Sequence, residues 1–149
     1  MANVFDVAEY ILQQQGAMTT MKLQKLVYYS QAWSLVWDSE ALFDECIEAW
    51  ASGPVVPLLY KAHRREYLIK DLPLGNSNSL IDKQRETINA VLGAYGDKPA
   101  QWLADLTHME KPWLDARGEV ALGENCENEI SLASMEEYYS SLSPGGEPV

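Results

Sequence analysis

Residues 21–60 read MKLQKLVYYSQAWSLVWDSEALFDECIEAWASGPVVPLLY and contain three of the five tryptophans in the chain. The first half of this stretch predicts a long helix, because Thr19 or Thr20 supplies a capping hydroxyl and no Gly or Pro interrupts the run to Asp38. On a helical wheel, apolar and aromatic side chains share an arc of roughly 200°: Met21, Leu26, Tyr28, Tyr29, Ala32, Trp33, Leu35, Val36 and Trp37. Polar side chains, among them Gln24 and Gln31, lie opposite. So wide an arc predicts a central helix that packs against neighbours on several sides.

The composition indicates a single acidic globular domain. The chain has 149 residues, of which 47% are hydrophobic, so it is long enough and apolar enough to bury a real core. The formal net charge of −11 argues against a free-standing nucleic-acid-binding protein, because contacts to phosphate groups need a basic face. We therefore expect no direct nucleic-acid partner, whereas a basic protein partner suits the charge.

The N-terminal residues MANVFDVAEY lack the basic and apolar regions of a signal peptide. No apolar run approaches the ~18 residues of a membrane span. Cys46 and Cys126 lie far apart and form no Cys-x-x-Cys pair, which favours free thiols. We expect a cytoplasmic location and no membrane partner.

Local signals predict further helices before and after the central one. Asn3 and Asp6 form a capping box for a first helix that Gly16 ends. Residues 40–52 fit either a short extended segment or a ragged helical turn. After Gly53, the prolines Pro54 and Pro57 predict the start of a third helix that runs to about residue 67.

The second half of the chain repeats this pattern of caps and breaks. Residues 71–79 form a loop, after which Ser79 and Asp82 make a capping box for a fourth helix that ends at residue 96. Pro99 begins a fifth helix, and Pro112 ends it because the residue before a proline avoids the helical region. Residues 113–129 read as irregular, and Ser131, or Ser134 with Glu137, caps a last helix over 132–142. The sum is a mainly α, single compact domain of five or six helices over residues 1–142, with a flexible tail at 143–149.

No sequence pattern supplies a metal, cofactor or catalytic site. His63 and His108 are the only histidines, and neither belongs to a metal-binding motif. The glycine-rich phosphate loops and the Gly-x-Ser-x-Gly nucleophile motif are absent. From these residues alone the chain reads as a non-enzymatic binding domain.

Two charged clusters each allow two interpretations. Acidic residues follow the central helix at Asp38, Glu40, Asp44, Glu45 and Glu48. They fit a solvated face, or else paired carboxylates of a hydrolase centred on Glu45 and Glu48. The basic run at residues 61–65, KAHRR, fits favourable charges near a helix C-terminus, or else a contact to phosphate or to an acidic partner.

Longer motifs carry a family resemblance. Residues 22–33 read KLQKLVYYSQAW, residues 42–45 read LFDE, and residues 47–56 read IEAWASGPVV, followed by Tyr60. Further on come KPW at 111–113, DARG at 115–118 and Ile130-Ser131. Together these resemble the Panacea domain, or SocA-like antitoxin family, which includes phage-associated GepA-like proteins. The resemblance covers about residues 4–142.

The resemblance implies an antitoxin of a toxin–antitoxin pair, which neutralises a cognate protein toxin from a neighbouring gene by direct binding. One alternative is a proteolytic adaptor that delivers the toxin to a ClpXP-type protease, and another is the hydrolase named above. Some members carry an additional DNA-binding module, which we do not expect in this chain beyond the family core. The family motifs, the basic run and the preference for aromatic anchors at interfaces suggest seven toxin-binding candidates: Tyr28, Gln31, Trp50, Pro54, Tyr60, Arg64 and Trp113.

Overall fold

A computed structural model describes residues 2–142 of the chain. Within these residues it contains seven α-helices: α1 (Val4–Gln15), α2 (Thr20–Asp38), α3 (Pro57–His63), α4 (Asp82–Tyr95), α5 (Ala100–His108), α6 (Lys111–Arg117) and α7 (Leu132–Leu142). Two antiparallel pairs of short strands complete it, β1 (Met18–Thr19) with β4 (Leu68–Ile69) and β2 (Glu48–Trp50) with β3 (Gly53–Val55). The mainly α prediction is confirmed, with seven described helices where five or six were expected.

Helix α2 is the centre of the fold, as its sequence predicts. It begins after Thr19, whose hydroxyl accepts a hydrogen bond from the Lys22 amide at 3.1 Å, and it contacts α1, α4, α5, α7 and β3. Its polar side is buried as well as its apolar side. Ser30 and Gln31 are fully buried and hydrogen-bond to backbone groups, so burial leaves their polar atoms satisfied.

Helix α1 forms as predicted and anchors a distant loop. The Asn3 side chain accepts from the Asp6 amide at 3.0 Å, and the Asp6 carboxylate accepts from the Asn3 amide at 2.9 Å. This is the predicted capping box, and Gly16 ends the helix. The Asp6 carboxylate also accepts from the Asn76 amide at 2.8 Å, which ties the loop at residues 71–79 to the start of the chain.

Residues 40–52 lead into a β-hairpin, which decides between the two readings of that segment. Pro54 pairs with Ala49 inside β3, so the prediction that it begins the third helix was wrong, and Pro57 alone occupies the first helical position. The Ala49 amide donates to the Asn128 carbonyl at 2.8 Å, on the side away from Pro54. The ladder therefore loses no hydrogen bond to the missing N–H of the proline.

Helix α3 ends at His63, earlier than the predicted residue 67. The chain that follows becomes β4, in which Ile69 pairs with Met18. The amide of Thr20 donates to the carbonyl of Tyr67 at 3.0 Å. This pairing with a segment some fifty residues earlier has no local signal in the sequence.

Helix α4 begins differently from the prediction. The Gln84 side chain accepts from the Ile81 amide at 2.9 Å, so Ile81 is the capping position. Ser79 instead closes a short 3-10 turn, in which its amide donates to the Asn76 carbonyl at 3.0 Å. The predicted capping box of Ser79 with Asp82 was wrong.

Pro112 begins a helix, whereas the sequence predicted that it ends one. Helix α5 already stops at His108, and Pro112 is the second residue of α6, where its missing N–H has no intrahelical partner to lose. The prediction that residues 113–129 are irregular was therefore wrong for residues 113–117, which belong to α6.

The last helix starts as predicted, because the Ser131 hydroxyl accepts from the Ser134 amide at 3.1 Å. The tail predicted at residues 143–149 lies outside the described residues. Cys46 is exposed and Cys126 is buried, and both are free, as expected. None of the helices in residues 2–142 is long and apolar enough to cross a membrane.

Candidate functional site

Gln24 joins the central helix to the start and the end of α3. Its Oε1 atom accepts from the Val56 amide at 3.0 Å, and its Nε2 atom lies 2.9 Å from Nε2 of His63. Because Oε1 is the acceptor, Nε2 of Gln24 must be the donor, and Nε2 of His63 accepts its hydrogen bond. The imidazole of His63 is neutral in this arrangement, and burial lowers its pKa. One side chain of α2 thus positions both ends of α3.

Lys25 is buried beside Gln24 and has no charged partner among residues 2–142. Its Nζ donates to the Pro54 carbonyl at 3.2 Å, and only 1% of the residue is exposed. Burial lowers the pKa of Lys25 to about 7, because the charged form loses its hydration. Gly53 lies directly against this side chain with a positive φ of 118°. The Lys-Leu-Gln-Lys and Gly-Pro motifs therefore form one buried unit.

Two aromatic side chains lie above this unit at the surface. The rings of Trp50 and Tyr60 meet edge to face with centroids 4.9 Å apart, and Tyr60 also contacts the ring of His63 at 5.6 Å. Tyr60 is 38% exposed, and Met21 nearby is 39% exposed. A cavity of about 130 Å³ opens between them, and we call it the Lys25 cavity; it is lined by Thr20, Met21, Gln24, Lys25, Trp50, Ser52, Val55, Tyr60 and His63.

One side of Trp50 lies next to exposed positive charges. Exposed cations stand next to Tyr60 and His63 in the sequence: Lys61 lies within α3, and Arg64 and Arg65 follow its last residue. Arg64 lies one helical turn after Tyr60, so the two share a face. We refer to Met21, Trp50, Tyr60 and Arg64 as the Trp50–Tyr60 surface.

The opposite side of Trp50 is acidic. A second cavity, of about 380 Å³, is lined by Trp50, Ala51, Ser52, Asn125, Cys126 and Glu127. Glu48 pairs with Glu129 across a β-bridge, and no Lys or Arg follows Arg117 in the sequence. Like charges directly opposite each other destabilise a sheet. Glu48, Glu127 and Glu129 therefore make this side of the hairpin acidic.

The structure separates the seven predicted binding residues into two groups. It brings Trp50 and Tyr60 into contact at the surface, with Arg64 exposed on the same face. It buries the remaining four, which are Tyr28, Gln31, Pro54 and Trp113. Pro54 nevertheless belongs to the unit below the surface, because its carbonyl accepts from Lys25.

The three other buried candidates have structural partners. The Tyr28 hydroxyl lies 3.0 Å from that of Tyr139 in the core. Gln31 accepts from the Leu42 amide at 2.7 Å and donates to the Phe43 carbonyl at 2.8 Å. Their burial leaves them no surface to offer a partner, so they support the fold.

Trp113 supports the surface from within. Its ring is 1% exposed and stacks on His108 at 4.3 Å, and its Nε1 donates to the Trp50 carbonyl at 2.8 Å. The Trp113 ring also contacts Arg117, whose guanidinium carbon lies 4.8 Å from the ring centroid. Trp113 therefore fixes the backbone of the hairpin that presents Trp50.

Sequence reasoning missed Gln24, Lys25 and His63 as a connected group. The signal was present in the Lys-Leu-Gln-Lys motif, because Gln24 and Lys25 stand in a helix that was predicted to be packed on several sides. Their partners Val56 and Pro54 are about thirty residues away, and no local rule pairs them.

A second buried polar cluster holds α6 and α7 against α2. The hydroxyls of Tyr29 and Tyr139 each donate to Oε1 of Glu110 at 2.7 Å. Burial raises the pKa of Glu110 to about 7, because removal from water outweighs these two hydrogen bonds to the charged form. This cluster lies in the interior and lines neither the Lys25 cavity nor the cavity beside Glu127.

The acidic residues after the central helix are held by separate partners. Asp38 accepts from Thr87, Glu40 pairs with Lys83, and Glu45 accepts from the Val4 amide. Glu48 accepts from Nε1 of Trp50 at 2.8 Å. In the described part of the chain, no group of three His, Cys, Asp or Glu residues is arranged to hold a metal ion. These contacts give no support to a paired-carboxylate site.

The fold and the site define a small helical domain in which motif residues of the central helix hold a β-hairpin and a short helix in place. The family described as Antitoxin SocA-like, Panacea domain, matches residues 23–114, well over half of the chain and nearly all of the site. The chain belongs to this family. Comparison with curated proteins and with solved structures gave no match.

Proposed function

We propose that this chain is an antitoxin that neutralises a cognate protein toxin in the cytoplasm by binding it directly, without catalysing a reaction. Membership of the SocA-like antitoxin family supports the antitoxin role. The toxin is expected to be the product of a neighbouring gene. Binding would occlude the active surface of the toxin or hold it in an inactive conformation.

The observation that carries the choice of surface is the contact between Trp50 and Tyr60. Both rings keep exposed area although each is fixed by its neighbours, Trp50 through the hydrogen bond from its Nε1 to Glu48 at 2.8 Å and Tyr60 through His63. Rigid aromatic side chains at a surface are the anchors that contribute most to protein–protein binding. Little side-chain entropy would be lost on binding, because the rings are already positioned.

The test starts with the neighbouring gene product, expressed alone and together with this chain. The proposal expects growth arrest by the neighbour alone, recovery on co-expression, and a complex that survives purification at physiological salt. If growth recovers while the neighbour disappears and no complex is found, and if recovery requires a ClpXP-type protease, the chain acts as a proteolytic adaptor. A neighbour that is harmless alone contradicts the antitoxin role.

The surface is tested with Trp50→Ala and Tyr60→Ala, separately and together. We expect the double variant to fold and to weaken toxin binding by about a thousandfold, since hot-spot aromatics contribute on the order of 2 kcal/mol or more each. The matched control is Trp102→Ala on α5, a tryptophan with 43% exposure outside the Lys25 cavity. Equal loss of binding in the control and the double variant would move the interface elsewhere.

A further inference from the structure

The Lys25 cavity has hydrogen-bond donors in excess of acceptors. The Lys25 amine carries three N–H groups when charged, and the described part of the chain supplies one acceptor, the Pro54 carbonyl at 3.2 Å. A buried amine without further partners is costly, because its hydration is lost and only partly replaced. The two remaining donors fit a ligand that supplies acceptor oxygens.

His63 adds a second unsatisfied donor to the wall of the same cavity. Its Nε2 accepts from Gln24, so in the neutral ring the proton is on Nδ1. Nδ1 is buried and has no hydrogen-bond partner within residues 2–142, and the residue is 4% exposed. The Tyr60 ring lies against this imidazole and forms the outer edge of the cavity.

Charge and size narrow the choice of ligand. The exposed cations Lys61, Arg64 and Arg65 follow the cavity-lining residues of α3, in a chain whose net charge is −11. A volume of about 130 Å³ corresponds to roughly four water molecules. This is room for one side chain of moderate size and not for a nucleotide.

We propose that the Lys25 cavity receives one aspartate or glutamate side chain of the bound toxin, whose carboxylate pairs with the Lys25 ammonium and accepts from His63. This inference rests on the proposed function and adds the chemistry of the central contact. The aromatic pair would then shield the ion pair from water, as the rim of a hot spot does. The cations Lys61, Arg64 and Arg65 would guide the acidic segment of the toxin to the cavity.

The experiment is a double-mutant cycle between this chain and the toxin. On this chain, Lys25→Met removes the amine and keeps an apolar side chain of similar length. The matched control is Lys22→Met, three residues earlier in α2. On the toxin, each Asp and Glu of the interface is changed to Asn or Gln. We expect Lys25→Met to raise the Kd about a hundredfold, Lys22→Met to leave it nearly unchanged, and one toxin carboxylate to account for the loss.

The identifying result is non-additivity. Removal of that toxin carboxylate should weaken binding to the wild-type chain and have little further effect on the Lys25→Met variant. If Lys25→Met does not fold, the toxin variants measured against the wild-type chain still test the inference, because a toxin in which no single carboxylate matters for binding overturns it. Additive effects for every carboxylate would overturn the inference while the antitoxin role stands, whereas absence of any complex with the wild-type chain overturns the proposed function itself.

A free carboxylate is the alternative source of the same chemistry. Glutarate is titrated into the isolated ¹⁵N-labelled chain, and the indole N–H signal of Trp50 is followed. We expect no saturable shift at millimolar glutarate, because a free dicarboxylate lacks the surrounding contacts of a protein partner. Saturable binding of glutarate that the toxin does not displace would overturn the assignment to a toxin side chain.

Discussion

Gly53 lies so close to Lys25 that a Cβ atom at position 53 would stand 2.5 Å from Cε of Lys25 and 3.0 Å from Oγ1 of Thr107. The backbone at Gly53 also has a positive φ of 118°, which side-chain-bearing residues rarely adopt. The glycine therefore permits two things at once, the tight turn of the β-hairpin and the burial of the amine beneath it.

We expect Gly53→Ala to destabilise the fold by about 2–4 kcal/mol, since strain at the positive φ adds to the displacement of Lys25. Urea unfolding measures this. Gly93→Ala is the matched control, because nothing lies within 4 Å of its added Cβ and it stands in α4, where alanine is favoured by about 1 kcal/mol. In a Lys25→Ala background the cost of Gly53→Ala should shrink, and equal costs in both backgrounds would mean that the clash contributes nothing.

Stability should depend on pH through Glu110. Its pKa is about 7 in the folded protein and near the ordinary 4.5 in the unfolded chain. Between pH 4.5 and 7 the unfolded state releases the proton while the folded state keeps it, so the free energy of unfolding falls as pH rises. The fall is on the order of 3 kcal/mol and levels off above pH 7.

Glu110→Gln should remove this pH dependence. Between pH 4.5 and pH 7.5, the free energy of unfolding should therefore fall less in the variant than in the wild type. The comparison of the two proteins is needed because burial lowers the pKa values of His63 and His108, which makes stability rise with pH up to about 6.5 in both. An unchanged difference between the two proteins from pH 4.5 to 7.5 would show that Glu110 is ionised in the fold.

Lys25 predicts the opposite slope at higher pH. Its pKa is about 7 in the folded protein, against 10.5 in the unfolded chain. Above pH 7 the unfolded state binds one proton more than the folded state, so stability rises by on the order of 2 kcal/mol between pH 7 and 9. Lys25→Met should flatten this rise. The free energy of unfolding is measured for both proteins from pH 7 to pH 9. An equal pH dependence in the wild type and the variant would contradict the burial of a neutral amine.

Arg117 should be essential to the order of residues 118–127. Its two terminal nitrogens donate to the carbonyls of Ala49 at 2.9 Å and of Ala121 and Glu124 at 2.7 Å each. Lysine cannot form three such bonds in a fixed plane. We expect Arg117→Lys to cost about 2–4 kcal/mol and to speed proteolysis within this loop.

Arg85→Lys is the matched control for this change. Arg85 is only partly buried and pairs with an exposed carboxylate, Asp82, at 3.1 Å, a kind of ion pair that contributes little. Its replacement should change stability by less than about 0.5 kcal/mol. If both variants unfold at the same urea concentration, the three carbonyl contacts of Arg117 do not hold the loop.

Several elements were predictable because their signals are local. The Asn3 and Asp6 capping box, the start of α2 at Thr19 and the cap of α7 at Ser131 each depend on groups three residues apart. Pro112 shows the limit of such rules, since a proline both ends a preceding helix and fits the first turn of a following one. Here the second applies, because α5 ends at His108 and Pro112 is the second residue of α6.

The sequence by itself determined the class of fold, the central helix and the family, because helix periodicity, caps and a long motif are all written within short stretches of chain. Only the tertiary structure decided that Pro54 lies in a strand, that β1 pairs with β4, and that Tyr28, Gln31 and Trp113 are buried while Trp50 and Tyr60 meet at the surface. The same holds for the pairing of Lys25 with the Pro54 carbonyl. These are contacts between residues far apart in the chain, and their energies depend on which groups lose water together, a property that no single segment possesses.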